Sequence, residues 1–176
     1  MRIRLAAAAA AIGLALAAPP MGASIGGFGA ALAAGEDAAG VSKLLPKGIE
    51  ADAAFFVIEE FLDGGNTLDR LEKFYGEYVF YFDRGVRSRA QVLEDKRLYV
   101  TRWPDRTLTP DLSTLQTKSV KGGDGRIDVE VNLEIDFEVS SPIRSASGRS
   151  TVSLLLAKRS GQFIILSEGG RVISRR

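Results

Sequence analysis

Residues 126–139 read RIDVEVNLEIDFEV, and their alternation decides the fold. Ile127, Val129, Val131, Leu133, Ile135, Phe137 and Val139 share one parity; Asp128, Glu130, Asn132, Glu134, Asp136 and Glu138 share the other. Successive side chains of a strand point to opposite faces, so the stretch predicts a strand with one buried and one wet face. A helix would scatter the same apolar residues around its circumference. The strand is long against the usual length of about 5–6 residues. A long strand wet on one side belongs to a strongly curved, mainly antiparallel sheet whose other face is covered by helices. The class that follows is α+β.

Working outward, everything after Pro104 reads as strand. Thr107–Val120 holds one or two strands, the Gly122–Gly125 run is a turn, and Ser140-Ser141-Pro142 reverses the long strand. Strands near Arg149–Lys158 and Gln162–Glu168 are joined by Arg159-Ser160-Gly161, and a short one at Arg171–Ser174 closes the chain or extends the strand before it. Upstream the period changes to that of a helix. Ala54, Phe55, Ile58, Phe61 and Leu62 define a first helix from Glu50, stopped by Asp63-Gly64-Gly65-Asn66. Thr67 caps a second, carrying Leu68, Leu71, Phe74 and Tyr75. Tyr78–Phe82 is a β-prone aromatic run ended by the turn Asp83-Arg84-Gly85. Ser88 and Gln91 then form a capping box for a third helix through Val92, Leu93, Tyr99 and Trp103, which must end at Pro104.

The first residues have a different character. Met1–Arg4 is basic, Leu5–Ala18 is apolar, and Pro19-Pro20 leads into a Gly/Ala-rich tail to Ala34. That is the order of a secretory signal, with a cleavage site expected between 18 and 34, Ala31-Leu32-Ala33 being one candidate. The apolar run is shorter than the ~20 residues of a spanning helix. The expected organisation is a signal at 1–34, a flexible linker at 35–48 and one domain at 49–176, released to the periplasm or beyond, with no stable membrane insertion after processing. With no cysteine, the domain must hold together by its core. The whole chain has 23 Lys+Arg and 22 Asp+Glu; loss of Arg2 and Arg4 leaves it at −1. So even a balance excludes non-specific nucleic-acid binding, which depends on neutralising phosphates.

There is no histidine either, which removes the commonest general base and metal ligand and all Ser-His pairs. No cofactor motif is present: neither Gly-rich run is followed by the Lys-Ser/Thr of a phosphate loop. The acidic residues of the long strand stand in a line and do not converge on a metal. They read instead as partners for Arg144, Arg149, Lys158, Arg159, Arg171 and Arg175 on neighbouring strands. On the third helix, Asp95, Lys96, Tyr99, Arg102 and Trp103 fall within reach of one another. Lys96, Tyr99 and Trp103 would make a polar, aromatic wall for a small ligand, and Tyr99 and Trp103 equally read as core anchors.

The order of two helices, strand, helix and curved sheet over Ile49–Ser174 resembles the nuclear transport factor 2-like superfamily. YVFYFDRGVRSRAQVLEDKRLYVTRWP (78–104) and SEGGRVI (167–173) resemble exported bacterial members of it. The superfamily contains ketosteroid isomerases, polyketide cyclases and many non-catalytic binding domains. The resemblance implies a cone whose cavity some members use as an active site and others leave packed. It also implies a role for Asp83 as a proton-shuttling general base, with Tyr81 as the donor to an enolate oxygen and Tyr78 or Tyr99 as substitutes. Asp-Arg-Gly is at the same time an ordinary turn sequence. The leading expectation is a non-catalytic binding or accessory domain, its ligand touching Tyr78, Lys96, Tyr99 and Trp103. An isomerase or cyclase built on Asp83 is the alternative, and a homodimer through the sheet is a third role.

Overall fold

The computed structural model describes residues 9–10, 13–14, 48–63, 67–123 and 125–176. The expected signal and linker therefore lie outside the described residues, apart from a two-residue ladder of β1 (Ala9–Ala10) with β2 (Gly13–Leu14). The domain begins with helix α1 (Ile49–Phe55), which runs directly into a π-helical turn, Phe56–Phe61. The wider turn brings Phe56, Val57 and Phe61 inward together with Ala53 and Ala54. Helix α2 (Leu68–Glu72) follows, starting at Thr67, whose side chain makes no capping bond. Then come β3 (Tyr75–Tyr81), a 3-10 turn (Phe82–Arg84), β4 (Val86–Ser88) and helix α3 (Arg89–Arg102). The rest is sheet: β5 (Asp105–Lys121), β6 (Ile127–Ser141), β7 (Arg144–Arg159), β8 (Gln162–Gly169) and β9 (Val172–Arg175).

The strands form one open, curved sheet in the order β4-β3-β8-β7-β6-β5, with β9 continuing along β7. All pairs are antiparallel except β3 with β8. The expected α+β architecture, helices over one face of a curved sheet, is the one found. Val129, Val131, Leu133, Ile135, Phe137 and Val139 of β6 are all buried, as their parity predicts. Pro110 sits in β5, an edge strand, where a missing N–H costs no ladder bond.

Three details refine the sequence reading. Tyr75 opens β3 instead of ending α2, because the chain leaves the helix at Lys73 and Tyr75 pairs with Ile165. Thr107–Val120 is a single strand in which the pairing slips between Asp111 and Gln116. Thr114 Oγ1, inside that bulge, accepts from the Glu134 N–H at 2.8 Å. At the start of β6 the alternation fails, with Ile127 exposed and Asp128 buried. There Asp128 tucks beneath the β5–β6 turn close against Gly122: a Cβ at 122 would come within 2.6 Å of its carboxylate, which would have to shift.

Candidate functional site

Helix α3 supplies one wall of the interior. Its start is fixed by the capping box: the Gln91 N–H donates to Ser88 Oγ (3.4 Å), and the Ser88 N–H donates to Gln91 Oε1 (3.0 Å). Pro104 stops it, and the Trp103 N–H closes the last turn on the Tyr99 carbonyl. Between those limits Val92, Lys96, Tyr99 and Trp103 recur at spacings of three and four and are all buried. A lysine in such a stripe demands a partner. It finds Glu168 of β8: Lys96 Nζ donates to Oε1 at 2.5 Å, and Tyr75 Oη donates to Oε2 at 2.5 Å. Lys96 is 3% exposed and Glu168 2%. Rings of Phe61, Tyr75 and Tyr81 lie 5.5–5.8 Å from the ammonium and complete its surroundings.

Glu168 reaches the interior through a bulge. Leu156 of β7 pairs with Ile165 and the next residue, Leu155, pairs with Ser167, so Leu166 is an extra residue in β8. Without it, strict alternation would put Glu168 outside with Ile164. Burial, and next the Glu168 carboxylate, push the Tyr75 phenol well up. The same two causes, with Asp95 adding to them, push Tyr81 up. Both phenols are donors at every ordinary pH.

The sequence-predicted residues divide into three groups. Lys96 and Tyr81 join the buried network. Tyr99 and Trp103 are buried along the same stripe, and neither Tyr99 Oη nor Trp103 Nε1 has a hydrogen-bond partner among the described residues. Burial pushes Tyr99 up to about 12. The Arg144 guanidinium covers the Trp103 indole, 4.7 Å from its centroid, and Arg106 donates to the Trp103 carbonyl at 2.6 Å. Asp83 and Tyr78 are elsewhere. Asp83 is exposed in the 3-10 turn, and its neighbour Arg84 pairs with Asp95 of α3. Tyr78 is exposed on β3, where its parity directs it away from the buried Val79 and Tyr81. The expected base is thus not brought to the cone wall: the carboxylate that meets Lys96 there is Glu168, which, with Tyr75, the sequence reading missed.

On the outer face the acidic line of β6 meets Arg149, as its pattern predicts. The guanidinium contacts Asp136 (3.0 Å), Asp111 (3.3 Å) and Glu134 (3.4 Å). Its hydrogen bonds hold the Asp136 carboxyl below the usual range.

No protein-family model and no curated protein sequence matches the chain. Solved structures do resemble it. A Xanthomonas campestris protein named as a candidate calcium/calmodulin-dependent protein kinase II association domain has 12% identity and a TM-score of 0.58, covering 73% of this chain and 91% of its own. A candidate scytalone dehydratase from Novosphingobium aromaticivorans has 11% identity and a TM-score of 0.54, with 71% and 83% covered. A candidate dehydratase of the NTF2-like family from Streptomyces avermitilis has 12% identity and a TM-score of 0.50, with 69% and 90% covered. With its open curved sheet and the helices described over it, the chain has the fold of these nuclear transport factor 2-like structures.

Proposed function

We propose that the domain is an exported binding or accessory module that holds a small ligand or a partner surface and turns nothing over. The observation that carries this reading is the closed Tyr75–Glu168–Lys96 network. A general base must reach the proton it removes. Glu168 is enclosed and already accepts from both neighbours. Asp83 stands in water, without the desolvated pocket in which such a carboxylate works. Support for an accessory role comes from the outer face, where Tyr78, Phe80 and Val86 are exposed beside one another and Phe80 pairs with Val86. Such a patch suits a partner protein or a second copy. The signal-like order of residues 1–34 supports export.

The test is hydrogen–deuterium exchange of enolisable cyclic ketones followed by NMR, with Asp83→Asn and Glu168→Gln alongside. Exchange at the buffer rate in all three proteins is expected. Exchange well above buffer in the wild type, abolished in either variant, would return the isomerase or cyclase reading.

A further inference from the structure

Outside the interior, α1, α2 and the β7–β8 hairpin enclose a groove of about 830 Å³. That is the size of a small-molecule site. Its floor is aromatic. Phe56 meets Phe74 edge-on at 5.0 Å and Phe163 at 5.6 Å, and all three are buried. Phe55 makes one wall and is 62% exposed. Neighbouring residues of a helix point about 100° apart. With Phe56 committed to the core, Phe55 is left in water.

The charges around the groove are not equally available. Lys158 donates to Asp52 at 2.8 Å and lies 5.5 Å over the Phe163 ring. Arg70 pairs with Asp63 at 3.3 Å. Lys73, at the end of α2, lines the same groove and has no partner among the described residues. An apolar body would cover Phe55 and leave one ammonium to be answered by one negative charge.

We propose that this groove binds an amphipathic monoanion, an aryl carboxylate being the simplest, with its ring against Phe55 and Phe163 and its carboxylate on Lys73. The site rests on the binding reading only in that the ligand is held and not converted. Both key residues are exposed, so substitutions there leave the fold intact.

Titration calorimetry of the full chain with 2-naphthoate and with the neutral 2-naphthamide tests it. Saturable binding of the acid, about fivefold tighter than the amide, is expected, and Lys73→Gln should erase that difference. Phe55→Ala should weaken both probes by about tenfold. Unchanged affinity in both variants, or no saturable binding, overturns the proposal. Affinity lost in Tyr99→Phe alone puts the ligand inside the cone, overturning the groove and sparing the binding reading. Ketone exchange in the same preparations does the reverse, overturning the non-catalytic reading and leaving the groove standing.

Discussion

Lys96 and Lys158 each sit over aromatic rings and each bond a carboxylate, yet their surroundings are opposite. Lys96 and Glu168 are sealed inside, whereas Lys158 and Asp52 are 38% and 57% exposed at the groove. The same chemistry therefore does different things. In water the pair is weakened by solvent and by the entropy of two long side chains. In the interior neither ion tolerates the loss of the other. The first arrangement is adjustable and leaves a groove that other molecules can enter; the second is a fixed part of the fold.

The sharpest way to break the comparison is to remove one partner at each place. Glu168→Ala should cost about 3–5 kcal/mol, read from urea unfolding, because it strands the buried ammonium. Replacing both ions, Lys96→Met with Glu168→Leu, should recover much of that loss. A loss in the double variant as large as in the single would show that packing, and not charge, dominates.

A second contrast appears with pH. Tyr75, Tyr81 and Tyr99 have folded pKa values raised by burial above the ordinary value of 10. Their contribution is complete below about pH 10 and is lost as pH rises beyond it, since the unfolded chain then releases protons that the folded chain keeps. The melting temperature should fall steeply above pH 10, and less steeply in Tyr99→Phe. A flat profile to pH 11.5 would contradict the burial of the three phenols.

Smaller effects belong to the surface. Arg149→Met should lower the melting temperature by less than Glu168→Ala, and its own effect should shrink in 1 M salt while that of Glu168→Ala persists. Asp136, held low by Arg149, gives its stabilisation above the unfolded carboxylate range and loses it as pH falls through the depressed value. Asp52→Asn, at the groove, should change stability by under about 1 kcal/mol.

The fold was legible because β6 alternates without interruption from Val129 to Val139. The capping box at Ser88 and the stop at Pro104 likewise fixed α3 from local chemistry alone. The interior was legible from one side only. Lys96, Tyr99 and Trp103 share a helical stripe, so their common face could be read. Glu168 could not be placed, since the bulge at Leu166 depends on how β8 pairs with β7, which no local pattern announces. Tyr75 was hidden for a similar reason: its strand pairing with a residue 90 positions away outweighs the helical period of the residues before it. Asp83 looked chemical because its role came from its place in the chain order, whereas its exposure is set by Arg84 holding the turn against α3.

The parallel meeting of β3 with β8 has a kinetic consequence. Tyr75 and Glu168 are separated by 93 residues, and the strands that carry them are neighbours in the sheet. Contacts between such distant parts of a chain form late and slowly. A ribosome that has made everything up to the β7–β8 turn has therefore yet to make the carboxylate that Lys96 and Tyr75 both bond. Completion of the native state must wait for β8 to emerge.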